Sequence, residues 1–91
     1  MSCHYFAAFC LATVRTEEQG PRIGFTLPRA FGKATKRNRA KRRLRELLRV
    51  RLGQLNPCWD VVINPRRPAL EASPQDLQRE VERLISRCNQ L

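Results

Sequence analysis

Ninety-one residues allow one domain (1–91), and a domain this small buries only about 60–65% of the surface its unfolded chain exposes, which argues against a deep enzymatic cleft. Hydrophobic residues make up 42% and charged residues 29%, the balance of a folded domain rather than of a disordered basic tail. The formal net charge is +10, and it is concentrated: Arg29 to Arg51 holds eleven Lys or Arg and one acid, Glu46, while the remainder is balanced. Such an excess attracts polyanions through release of their condensed counterions.

In chain order, His4 to Val14 is aromatic and small apolar, which predicts a largely covered strand. The run Tyr5 to Val14 lacks a preceding basic residue and stops well short of the roughly 20 residues that span a bilayer, so it reads neither as a signal peptide nor as a membrane helix. Glu17 to Pro21 predicts a polar turn. Arg22 to Leu27 alternates Ile23, Phe25 and Leu27 with Gly24 and Thr26, a half-buried strand expected to form an antiparallel hairpin with the first.

Pro28 ends that strand, and Arg29 to Lys33 forms a basic connector. A helix is expected from Ala34 or Thr35, with Ala40, Leu44, Leu47, Leu48, Leu52 and Leu55 as its apolar stripe. Arg39, Arg42, Arg45 and Arg49 project to the opposite side, with Lys41 and Arg43 on the flanks. Arg51 falls within the stripe, where its stem can lie on the core while the guanidinium reaches water. Gly53 and Asn56-Pro57 close the helix, and Trp59 to Ile63 reads as a short strand covered on both faces. After the basic loop Pro65 to Pro68, a last helix is signalled by Ser73 as cap, Pro74 at its first position and Asp76 completing a capping box. Leu77, Val81, Leu84, Ile85 and Cys88 share its buried face. The order β-β-α-β-α predicts an α+β two-layer sandwich.

Cys3, Cys10, Cys58 and Cys88 contain no CxxC pair, and His4 is the sole histidine, so no zinc-ligand spacing is present. The cysteines read as reduced thiols of a cytoplasmic protein. Glu17/Glu18, Glu80/Glu82 and His4 offer no convincing catalytic pair, and no catalytic residue is assigned.

The chemistry lies in Lys33 to Glu46. Cations spread along a rigid amphipathic helix can meet several phosphates while the leucine stripe fixes the helix to the sheet. Arg outnumbers Lys eight to three over Arg29 to Arg51, and guanidinium matches phosphate oxygens two at a time. Asn38, a neutral polar residue inside the run, can both donate and accept, which suits a base edge or a 2′-hydroxyl. A solvated helix face is the bland alternative, and a localisation or membrane-surface helix another. Against both, like charges four apart, such as Lys41/Arg45 and Arg45/Arg49, each destabilise an isolated helix by a few tenths of a kcal/mol, a cost that a polyanion relieves.

Gly24-Phe25, Gly32-Lys33-Ala34, Arg37-Asn38-Arg39 with Lys41-Arg42-Arg43-Leu44-Arg45-Glu46, and Asp60-Val61-Val62-Ile63 before a capped helix together resemble the bacterial ribonuclease P protein family, from about Tyr5 to the C-terminus. The resemblance implies a fold like the second domain of ribosomal protein S5, with two parallel strands joined through the basic helix by a left-handed crossover, against the usual rule. It implies a protein subunit that assists a catalytic RNA in removing the 5′ leader of precursor tRNA, with Mg²⁺ bound mainly by RNA and no organic cofactor. The implied partners are that RNA and precursor tRNA, with no membrane and the protein a monomer within the ribonucleoprotein.

By the same resemblance, Lys33, Lys36, Arg37, Asn38, Arg39, Lys41, Arg42, Arg43 and Arg45 are the RNA-contact candidates. Phe9, with Tyr5 expected on the same strand face, is the candidate for stacking on the leader. The family often places two lysines before its Gly-Lys step, where this chain has Pro28-Arg29, and it normally carries a basic helix before the first strand, which is expected to be absent here. A ribosomal or general RNA-binding module is the alternative, and a protein-only nuclease is disfavoured by the lack of an acidic metal cluster.

Overall fold

The computed structural model describes residues 1–12, 22–55 and 59–90. Three strands, β1 (Phe6–Ala12), β2 (Arg22–Phe25) and β3 (Trp59–Pro65), and two sixteen-residue helices, α1 (Ala34–Arg49) and α2 (Pro74–Asn89), follow the predicted β-β-α-β-α order. The predicted turn at Glu17 to Pro21, the Asn56-Pro57 helix stop and Cys58 lie outside the described residues.

Strand order corrects the hairpin. The sheet runs β1-β3-β2, with β3 in the middle. β1 pairs with β3 antiparallel, Phe9 opposite Val62, and β2 pairs with β3 parallel, Gly24 opposite the same Val62. The first two strands are therefore never neighbours. Parallel strands need a long crossover, and the segment between β2 and β3 contains α1, which supplies it.

Both helices cover one face of this sheet. Phe6 and Ala8 from β1 and Val61 and Ile63 from β3 meet Leu44, Leu48 and Leu55 and the Leu77, Val81, Leu84, Ile85 and Cys88 face of α2. The alternation of strand side chains sends Phe9 and Leu11 to the other face, 59% and 53% exposed, together with half-buried Val62 and exposed Asn64. This corrects two expectations: β1 is not largely covered, and β3 is covered on one face only. Continuous apolar sequence in β3 reflects apolar residues on the open side as well as in the core, not a second helical layer.

α2 forms as its sequence dictates. Pro74 occupies the first turn, and the Ser73 hydroxyl accepts from the Asp76 amide at 3.1 Å, satisfying a donor left free at the helix start. α1 ends earlier than expected, at Arg49. Leu52 falls in a separate 3-10 turn, Leu52–Gln54, and Leu55 follows it, buried. Arg51 does not reach water as predicted: its side chain is 12% exposed and its guanidinium donates to the Leu47 carbonyl and to Glu82 of α2. The expectation of reduced cysteines is corrected for two of the four, because Cys10 on β1 faces α2 and forms a disulfide with Cys88, with Cα atoms 6.3 Å apart. Cys3 is a free, half-buried thiol.

Candidate nucleic-acid interface

α1 carries the candidate interface, and its helical period divides the candidate residues into three groups. Asn38, Arg42 and Arg45, spaced four and three apart, form one exposed ridge that continues to Arg49, with exposed Arg39 beside it. Lys33 and Lys36 are exposed at the helix start. Arg37, Lys41 and Arg43 are half-buried, since each stands three or four residues from a buried Ala40, Leu44 or half-buried Leu47.

Environments within these groups differ. Arg43 turns back toward the protein, its guanidinium donating to the carbonyl of Ala69 at 2.6 Å and to that of Ala72, so it joins α1 to the segment that leads into α2. Arg37 has its Nε buried without a hydrogen-bond partner. The Arg45 guanidinium lies 5.5 Å from the centroid of the Phe25 ring on β2, a cation–π contact that restrains its swing. Arg49 bonds Glu46 at 3.0 Å, which neutralises the only acid of the basic segment. Arg39, Arg42, Lys33 and Lys36 make no such ion pair among the described residues, and their charge is open to a partner.

The open sheet face forms a second region. Phe9, Val62 and Gly24 lie in one row across β1, β3 and β2, and a Cβ at Gly24 would meet nothing within 4 Å. One exposed ring, Phe9, therefore stands at one end of a row that is unobstructed at its other end, Gly24. Tyr5 immediately precedes β1, its carbonyl accepting from the Arg66 amide at 2.9 Å, and lines a hollow with His4, Lys36 and Arg67; Phe9 lines another with Met1, Leu11 and Arg87.

Two arginines to which sequence reasoning gave no role help to build this end of the molecule. Arg66 donates to the Cys3 carbonyl and the Ser2 hydroxyl, and Arg67 to the Ala30 carbonyl at 2.8 Å. The doubled Arg between two prolines was the available signal. Glu80 and Glu82 are engaged by Arg83 and Arg51 respectively, and hydrogen bonds from Arg51 and Gln78 hold the Glu82 carboxyl below its ordinary pKa. Among the described residues no group of three or more His, Cys, Asp or Glu could hold a metal ion, and no helix is long and apolar enough to cross a membrane.

A family model described as Ribonuclease P matches residues 3–89, which takes in the whole described sheet and both helices. This chain belongs to the ribonuclease P protein family. Relatives named "Ribonuclease P protein component" include one from Desulfosudis oleivorans, 33% identical over 79 residues, covering 87% of this chain and 65% of the relative. Another, from Roseiflexus castenholzii, is 46% identical over 68 residues, covering 72% of this chain and 55% of the relative. The chain thus spans between 55% and 65% of the length of these two relatives. Among solved structures, the ribonuclease P protein from Thermotoga maritima superposes with a TM-score of 0.80 at 27% identity, covering 96% of this chain and 80% of that one. The Staphylococcus aureus protein, at 22% identity and a TM-score of 0.72, shares the fold. The small α+β architecture is therefore the ribonuclease P protein fold.

Proposed function

We propose that this chain is the RNA-binding protein subunit of a ribonucleoprotein endonuclease that removes the 5′ leader of precursor tRNA, the catalysis being carried by the RNA. The observation that supports this most is the single-signed ridge of α1, Asn38-Arg42-Arg45 with Arg39 alongside, fixed to the sheet by the buried Leu44 and Leu48. A helix anchored by one face presents its cations at set spacing, so phosphates of a folded RNA are met without reorganisation of the protein. Each contact releases counterions and lowers the repulsion between two polyanions. Asn38 adds a neutral donor and acceptor for a base edge or a 2′-hydroxyl.

Phe9 on the open face is proposed to stack on an unpaired leader base, a contact that tolerates any base. Mg²⁺ would be held mainly by RNA, since the protein's described acids are engaged or scattered; the ion would supply charge stabilisation for phosphodiester hydrolysis. The family match favours this reading over a general RNA-binding module.

The test is Arg39→Ala/Arg42→Ala, two exposed positions away from the leucine stripe. Binding to a ribonuclease P RNA is expected to weaken, and the slope of log affinity against log salt to fall by about 1 for each phosphate that is no longer neutralised. An unchanged affinity and slope would show this face to be only solvated.

A further inference from the structure

The outer edge of β1 is covered only in part. Ser2 pairs with Ala7, and the Ala8 amide donates to the Met1 carbonyl at 2.8 Å, so this cover stops at Ala8. A hollow of about 310 Å³ opens beside it, at the small end of ligand-binding pockets, and Phe9, Cys10, Leu11, Arg87 and Cys88 are in its lining. The Cys10–Cys88 bond thus belongs to the wall of an open hollow and is not sealed within the core.

The two sulfurs stand in different surroundings. Cys88 is 1% exposed and packs in the core, whereas Cys10 is half-buried on an edge strand, so an incoming thiolate reaches Cys10 first. Arg87, exposed in the last turn of α2, brings a positive charge to the hollow, and no acid among the described residues lines it. Electropositive, partly exposed surroundings are those of reactive cysteines, not of inert structural ones. The end of α2 does not depend on the bond alone: Leu84 and Ile85 are buried, and the Asn89 side chain donates to the Gln54 carbonyl at 2.6 Å. Opening the bond therefore leaves the two sulfurs close enough to rejoin.

We propose that Cys10 is a site of reversible S-thiolation, where the Cys10–Cys88 disulfide exchanges with a small thiol of net negative charge. The thiolate attacks the Cys10 Sγ, a new S–S bond forms as the Cys10–Cys88 bond breaks, and the electron pair leaves on the Cys88 Sγ, which takes a proton from water. A second small thiol attacking the mixed disulfide frees Cys10 and leaves a small disulfide, so the protein bond is reduced and two small thiols are oxidised. The reverse sequence, with the small disulfide as oxidant, closes the bond again. The adduct places an anionic group beside Phe9, where it repels a polyanion. This last consequence rests on the leader reading of Phe9; the exchange itself does not.

Glutathione is the probe, and the full chain carries Cys3→Ser and Cys58→Ser to leave only the pair. Without denaturant, oxidised glutathione is expected to leave a stable adduct at Cys10 of Cys88→Ala, mapped by mass spectrometry, and Cys88 of Cys10→Ala should react many times more slowly. Absence of the Cys10 adduct, or equal rates at the two cysteines, overturns the site. Should either variant fold poorly, Arg87→Gln, at an exposed position, supplies a second measurement on the intact disulfide. The rate of its reduction by glutathione relative to neutral mercaptoethanol is expected to fall several-fold, and an unchanged ratio overturns the role given to charge.

In the ribonucleoprotein assembled with Cys88→Ala, the Cys10 adduct is expected to weaken binding of leader-bearing precursor several-fold and to spare mature tRNA. Equal affinities with and without the adduct overturn the regulatory consequence. Phe9→Ala without the adduct tests the leader contact by itself: full precursor affinity there removes that reading, while the site of exchange is read from mass and stands or falls separately.

Discussion

Arg42 and Arg43 are adjacent in sequence and opposite in circumstance. Arg42 is exposed, while Arg43 bonds two backbone carbonyls of the segment before α2. Arg43→Gln is therefore expected to cost about 2 kcal/mol of folding stability, the scale of hydrogen bonds made by a charged group, and Arg42→Gln less than about 0.5 kcal/mol. Urea denaturation of both variants checks this, and equal stabilities would remove the structural role of Arg43. From sequence both read as RNA contacts, because helical period places Arg43 on a flank and cannot show that carbonyls of a distant loop lie within reach.

Asn38 is exposed in the second turn of α1, and the cap position is Lys33, so Asn38 does not hold the helix start. Asn38→Ala should weaken RNA binding at unchanged melting temperature; a lowered melting temperature with intact binding per folded molecule would refute its RNA role. Phe9→Ala, at a position 59% exposed, should leave stability nearly intact and weaken binding of leader-bearing precursor by roughly 1–3 kcal/mol, with mature tRNA unaffected. Equal weakening for both substrates would exclude a leader contact. The Cys10–Cys88 bond was illegible at this scale, since it depends on β1 packing against α2 across 78 residues of separation.

At the scale of elements, α2 was the most legible. Its cap, its proline and an apolar face at regular spacing all agree, and Leu77, Val81, Leu84, Ile85 and Cys88 are all buried. α1 was legible in its leucines but not at its end, where Arg51 is drawn to Glu82 rather than to water. That pair has a pH signature. Glu82 has a lowered pKa in the folded chain, first through the Arg51 hydrogen bond and then through Gln78, so its stabilising contribution is present above the ordinary carboxylate range and is lost as pH falls through the lowered value. The stability difference between the native chain and Glu82→Gln should accordingly be small, as for an exposed pair, and shrink further on acidification; a difference that grows toward acid pH contradicts the assignment. Denaturation midpoints measured across the acid range decide it.

For the molecule as a whole, fold class and element order could be read from periodicity, whereas the sheet order could not. Adjacent strands in sequence favour a hairpin, but the α1 crossover instead sets β2 parallel to β3, and β1 takes the other edge. What the fold achieves is a division of labour. The helices and one sheet face form the core, the outer ridge of α1 exposes Arg42 and Arg45 with Arg39 beside them, and the other sheet face keeps Phe9 in solvent.

On the function proposed above, this chain acts by binding RNA and the RNA performs the cleavage. The most direct test is a cleavage assay with 5′-labelled precursor tRNA, Mg²⁺ and a ribonuclease P RNA, with and without the chain. The chain alone is expected to cut nothing, to enhance RNA-catalysed release of the intact leader at low Mg²⁺, and to lose most of that enhancement as Arg39→Ala/Arg42→Ala. Cleavage by the chain without the RNA, or no enhancement with it, would contradict this role.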